Sequence, residues 1–242
     1  LGTTARVLMN AAESGAAVGR LGIFDQGFYD RLGFGTLPYL RLMTIDPSQL
    51  RVPACTRTPV RLGADDAVEL HACRCRRLRR HGGVNMSGAG ITRCEFEWIK
   101  GMFALGFRSD EGTLTHHVAV KPKGEHGPYE VRWFAYETAK QFLELLGLLK
   151  SMGDQVHGFR MVEPPHVQLQ DLVEQPFRML RSRRKGEFDV NPVSLAWEQV
   201  RMLDLEACVA AVRLPGETVS FTLAITDPIE RYLPDDSRWR GV

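Results

Sequence analysis

Apolar runs long enough to cross a bilayer, which takes roughly 20 residues, are missing from this sequence. Its first residues also lack the basic start and apolar stretch of a signal peptide. A chain that is membrane-embedded or exported is therefore not expected, and a soluble cytoplasmic one is. Charge of one sign is equally lacking, with 31 Lys and Arg against 29 Asp and Glu, a net charge of +2. That balance gives no electrostatic reason to expect nucleic acid or an anionic lipid surface as a partner. Cysteine is scarce, odd in number and scattered, at Cys55, Cys73, Cys75, Cys94 and Cys208, with no CxxC pair opposite a second ligand pair. Reduced thiols and no bound metal fit that pattern.

The 242 residues are 44% hydrophobic and 25% charged, ordinary for a folded chain with room for more than one core. They divide into three segments. Residues 1–50 read helix, strand, helix, strand, at 4–14, 18–24, 26–32 and 39–44, half of an α/β unit. Val7, Leu8, Ala11 and Ala12 give the first helix a stripe at helical spacing, and Leu21 and Ile23 alternate about Gly22 as in a strand. Residues 51–180 open with a helix over 64–80, with Asp65 and Asp66 at its start and a basic run from Arg76 to Arg80 at its end, charges that suit the helix dipole. A glycine-rich loop (Gly82, Gly83, Gly88, Gly90) follows, then strands over 114–120 and 129–134, a helix over 138–152, a strand over 156–162 and a short helix over 168–174. Strand, helix, strand suggests a crossover connection in a sheet. Residues 181–242 begin as a basic linker through Lys185-Gly186 and introduce a third unit, with an alternating strand over 219–226.

The most informative stretch is Gly27-Phe28-Tyr29-Asp30-Arg31-Leu32-Gly33-Phe34-Gly35, a short helix stopped by a glycine suited to a left-handed cap. It resembles the FYxRLGF signature of the GNAT acetyltransferases. The resemblance implies that acetyl-CoA enters beside a splayed strand and that the Tyr29 hydroxyl faces the thioester sulfur, protonating the departing thiolate. Packing of Tyr29 with Phe28, Leu32 and Phe34 as core is the plainer alternative. Gly2-Thr3-Thr4-Ala5-Arg6 precedes the first apolar helix where such proteins carry an RGxGxA-like pyrophosphate loop, with Thr3 where the family usually has Gly. The resemblance thus implies cosubstrate contacts from Gly2, Thr3, Thr4, Ala5, Arg6, Phe24 and Tyr29. In the second segment the matching turn reads Ala135-Tyr136-Glu137-Thr138. A glutamate without glycines repels a diphosphate, so no CoA is expected there.

The order of segments is similar to that of the Eis-like acetyltransferases, named for enhanced intracellular survival. The residues that carry this likeness are Trp98, the helix from Thr138 to Leu149 followed by Asp154-Gln155-Val156, Gln168-Leu169-Gln170-Asp171-Leu172, and Trp197 with Val200, Leu203 and Asp204. The implied fold class is α/β and α+β: a partial GNAT domain (1–50), a degenerate GNAT-like mixed-sheet domain (51–180) and the start of a sterol carrier protein-like domain (181–242). The resemblance further implies transfer of acetyl from acetyl-CoA to a primary amine (aminoglycoside, polyamine or lysine side chain) and a homo-oligomer, a hexamer in that family. It also implies that the chain is a fragment, inactive alone, because the strand before Leu1 and a terminal carboxylate after Val242 would be missing. A non-catalytic GNAT-like scaffold with an apolar-ligand domain is the alternative.

Other signals weigh less. Cys73 and Cys75 with His71 and His81 do not make a metal set, since helical residues two apart face different ways. His116 and His117, adjacent in a strand, should face opposite sides of the sheet. The arginines at 74–80 have no interleaved aromatic platform for RNA.

Overall fold

The computed structural model describes residues 1–25, 27–77, 88–176, 192–212, 216 and 220–233. Along the chain run α1 (Gly2–Glu13), β1 (Val18–Gly22), β2 (Gly35–Thr36), β3 (Leu40–Ile45), β4 (Val60–Leu62), α2 (Ala67–Arg76), α3 (Ala89–Trp98), β5 (Phe103–Arg108) and β6 (Leu114–Lys121). They are followed by β7 (Tyr129–Ala135), α4 (Ala139–Ser151), β8 (Phe159–Val162), β9 (Val193–Leu195), β10 (Glu198–Met202) and α5 (Leu205–Ala211). The chain forms two compact units, Leu1–Tyr39 with Leu195–Val242, and Leu40–Ser194. These boundaries differ from the three sequence segments. Residues 195–212 and 220–233 share a unit with residues 1–39, and the strand at Leu40–Ile45 pairs with β8 in the other unit.

In the first unit β10 lies between β1 and β2, antiparallel to both, in register Arg20↔Val200 and Val200↔Gly35. Its core is Ala5, Leu8, Leu32, Phe34, Ile229 and Leu233. The buried stripe of α1 is therefore Ala5 and Leu8, not the Val7-centred stripe read from spacing: Val7 is 61% exposed. The helix also starts two residues earlier than expected, because the Ala5 N–H donates to Leu1 O at 2.9 Å and closes the first turn there. The helix expected over 26–32 ends at Gly33 (φ 76°, ψ 22°) as the sequence suggested, but is a single 3-10 turn, Asp30–Leu32, because Gly27 at φ 85° lies outside helical geometry. The strand expected over 219–226 does not form at 220–226, where Phe221, Leu223 and Ile225 are exposed.

The second unit is a seven-stranded mixed sheet in the order β4-β5-β6-β7-β8-β3-β9. β4 to β7 run antiparallel, as do β3 and β8, while β7 and β8 are parallel and α4 is the crossover between them, as the strand, helix, strand order requires. Two layers of helix cover the sheet. Phe142, Leu145, Leu146 and Leu149 of α4 pack on Phe107, Val118, Val120, Phe159 and Met161. Leu70 and Cys73 of α2 and Phe96 of α3 pack on Ala104, Leu114, Ala119 and Ala135 of the opposite face. The helix expected over 64–80 is a 3-10 turn and then α2, and its last residues, with Gly82, Gly83 and His81, lie outside the described residues. Gly88 and Gly90, read as loop, flank or begin α3. The strand expected from Val156 starts at Phe159, and the helix expected over 168–174 is the 3-10 turn Leu169–Leu172. The linker through Lys185-Gly186 lies outside the described residues. Among the described residues no helix is long and apolar enough to cross a membrane.

Candidate functional site

Tyr29 sits at the head of the turn between β1 and β2. Its carbonyl accepts from Leu32 N at 2.8 Å and from Phe34 N at 3.4 Å, and Gly33 N donates to Asp30 O at 2.9 Å. Gly33 is needed there because its φ is one that L side chains rarely take. The Tyr29 ring is half-buried in an aromatic group, with Phe28 at 4.9 Å, Phe24 at 5.6 Å and Phe34 at 5.9 Å between centroids, all edge-on. Phe34 is core, whereas Phe24 is 71% exposed. Among the described residues the Tyr29 hydroxyl has no hydrogen-bond partner.

The other sequence-derived residues fall on the first turn of α1. That turn has no side-chain cap, so the N–H groups of Gly2, Thr3 and Thr4, which precede the first intrahelical bond, point out of the helix end with its positive dipole. Beside it is a cavity of about 560 Å3 lined by Gly2, Thr3, Arg6, Arg231, Tyr232 and Leu233. Among the described residues neither arginine forms an ion pair, and both line the cavity. Ala5 is fully buried and its N–H is taken by Leu1 O, which leaves it packing rather than ligand contact. Thr4, Phe24 and Tyr29 do not line this cavity; the structure gathers Gly2, Thr3 and Arg6 at one place and Phe24 and Tyr29 at another.

Sequence reasoning missed Arg231 and Tyr232, carried by the 3-10 turn Pro228–Tyr232, and missed Gln199 and Arg201 of β10. Gln199 and Arg201 are two apart in a strand, so they share one face. That polar pair within Trp197 to Leu203 was the available signal. Both are buried beneath the Tyr29 turn: Gln199 Nε2 donates to Asp30 Oδ1 at 2.7 Å, and Arg201 Nη1 donates to Leu32 O.

In the second unit the start of α4 offers no comparable opening. Thr138 caps it, with Gln141 N donating to Thr138 Oγ1 at 3.2 Å and Gln141 Oε1 accepting from Glu137 N at 2.7 Å and Thr138 N at 3.2 Å. Glu137 also pairs with Arg76 at 3.1 Å. The discounted cysteines separate as expected: Cys73 turns inward to Thr115 O at 3.5 Å, and Cys75 lies 3.5 Å from His71 Nε2. Burial pushes the Cys73 thiol up to about 12, so it stays protonated and is a poor metal ligand. His116 and His117 face opposite sides of the sheet, His116 reaching Glu144 at 3.0 Å and His117 accepting from Trp133 Nε1 at 3.0 Å.

No protein-family profile matches the chain, and no curated protein matches it. Solved structures do resemble it. A conserved protein from Enterococcus faecalis described as a probable N-acyltransferase aligns at 19% identity and TM-score 0.62, over 83% of this chain and 49% of its own. A GCN5-related N-acetyltransferase from Kribbella flavida aligns at 16% identity and TM-score 0.58, over 86% and 48%. Eis1 from Mycobacterium abscessus aligns at 18% identity and TM-score 0.61, over 86% and 52%. The likeness is one of fold: a mixed α/β architecture with mixed sheets. The chain spans about half the length of each of these proteins.

Proposed function

We propose that the chain is part of an acetyl-CoA-dependent N-acetyltransferase acting on a primary amine. One observation carries this reading: in a chain with the fold of GCN5-related acetyltransferases, the FYDRLGF stretch forms a tight turn capped by left-handed Gly33, and the Tyr29 hydroxyl has no partner among the described residues. The uncapped first turn of α1 and the guanidiniums of Arg6 and Arg231 supply N–H donors and positive charge suited to a diphosphate. In this reading Gly2, Thr3, Thr4 and Arg6 hold the diphosphate and Phe24 flanks the thioester arm. The amine nitrogen attacks the thioester carbonyl, the C–S bond breaks, Tyr29 gives its proton to the thiolate, and water removes the proton of the new ammonium. The acceptor is an aminoglycoside, a polyamine or a lysine side chain, and the working form is a homo-oligomer.

The test is acetyl-CoA binding by calorimetry together with thiol release against polyamines and aminoglycosides, both on the full-length protein of which this chain is a part. Tyr29→Phe should lower turnover by roughly 10- to 1,000-fold while binding persists. Unchanged turnover removes Tyr29 from the chemistry, and binding without any thiol release points instead to a non-catalytic binder.

A further inference from the structure

We infer that Gln199 and Arg201 are positioning residues for Tyr29: strand β10, far along the sequence, fixes the turn from which the tyrosine projects. This inference rests on the acetyltransferase reading for its kinetic consequence, though not for its geometry. The turn satisfies most of its own backbone, but the Leu32 carbonyl is left over, and Arg201 Nη1 fills it from beneath. The same guanidinium makes a bidentate pair with Asp227, Nη1 to Oδ1 at 2.9 Å and Nη2 to Oδ2. Asp227 Oδ1 also accepts from Ile229 N at 3.1 Å, so the pair is anchored to the turn Pro228–Tyr232. Gln199 Nε2 grips the other end of the Tyr29 turn through Asp30 Oδ1, and it reaches Thr36 Oγ1 at 3.2 Å on β2.

Two further observations separate this arrangement from ordinary core packing. Gln199 is 1% exposed and Arg201 9%, yet among the described residues Gln199 Oε1 and Arg201 Nε have no hydrogen-bond partner. Burying incompletely paired polar groups is costly, and apolar residues would fill the same space more stably. What the polar pair supplies is direction: a planar fork admits one orientation of the Leu32 carbonyl and of Asp227. Gly33 completes the fit, because a Cβ at that position would run into Arg201 Nη1. Tyr29 follows from this clamp, since its own carbonyl closes the turn that Arg201 and Gln199 hold at both ends.

The test uses Arg201→Met, Arg201→Lys and Gln199→Leu, each alone and combined with Tyr29→Phe. Arg201→Met should lower turnover about 10-fold or more, with the KM for acetyl-CoA within about twofold. In the Tyr29→Phe background it should cause no further loss, because both changes act through one hydroxyl. Arg201→Lys should restore part of the rate. A second readout needs no activity: in NMR of isotope-labelled tyrosine, the signal that disappears in Tyr29→Phe should shift or broaden in Arg201→Met and Gln199→Leu, with Tyr129 and Tyr136 unchanged. If the full-length wild-type protein, of which this chain is a part, releases no thiol, the acetyltransferase reading fails and the NMR comparison still decides the positioning role. If Arg201→Met fails to fold, Gln199→Leu, which removes only the Asp30 and Thr36 contacts, gives the decision. An unmoved Tyr29 signal, or losses that add fully to those of Tyr29→Phe, overturns the inference.

Discussion

His117 lies on β6 with no exposed surface, its Nε2 accepting the Trp133 indole N–H and its Nδ1 without a partner among the described residues. Burial first, then the charges of Arg74, His116 and Arg76, pushes its pKa down from 6.5 to about 3. The folded chain therefore holds this ring neutral while the unfolded chain protonates it below 6.5. Stability is intact above that pH and falls on acidification, by about 1.4 kcal/mol per pH unit until the folded pKa is reached. His116 pulls in the same direction, burial outweighing Glu144. His117→Gln keeps an acceptor for Trp133 and cannot titrate, so its urea midpoint should drop less than that of wild type between pH 7 and pH 4.5. Equal drops would show that His117 is not the group responsible. Next to it, Gly106 leaves no space for a methyl group, since a Cβ would stand 2.8 Å from both His117 Cβ and Leu114 Cδ1. Gly106→Ala should cost about 1–3 kcal/mol in chemical denaturation. The opposite facing of His116 and His117 was legible from strand alternation alone. Their burial was not, because a pair of histidines in sequence says nothing about what covers either face.

Among the elements, α4 was the most legible, since its apolar spacing and its start agree. Thr138 and Gln141 form a capping box, and Leu145, Leu146 and Leu149 fill the core. Thr138→Ala should lower stability by about 1 kcal/mol through loss of that cap, read as a fall in the thermal midpoint that Thr138→Ser largely avoids. α3 escaped notice because Gly88 and Gly90 signal a loop, whereas in the structure Thr92 and Phe96 are buried on α3 and Arg74 donates to Thr92 at 2.9 Å. β5 is a short run whose residues are mostly buried, and so lacks the alternation that marks a half-exposed strand. The turn carrying Tyr29 was found through its motif, but its form as a 3-10 turn depended on Gly33 and on the clamp below it. That clamp comes from residues about 170 positions away, such as Gln199 on Asp30, which no local pattern reports.

At the scale of the molecule, each unit has its own core, one built from a single stretch and one from two. A chain ending at Ser194 should keep amide protection in β5, β6, β7 and α4 and lose it in β1, whose strand partner would be gone. Hydrogen exchange followed by mass spectrometry checks this, and protection persisting in β1 would count against the discontinuous unit. The sequence division into three segments followed the order of the chain, and order is what the sheet β1-β10-β2 ignores. The same pairing has a consequence for the ribosome. Arg20 meets Val200 in the sheet, so roughly 180 residues must be added after β1 before its neighbour exists, a delay of about 10–40 s at ordinary elongation rates. During that interval the second unit, contiguous in sequence, can close behind its own strands. Leu8, Leu32 and Phe34 meanwhile wait for Ile229 and Leu233, the late-made residues that complete their core.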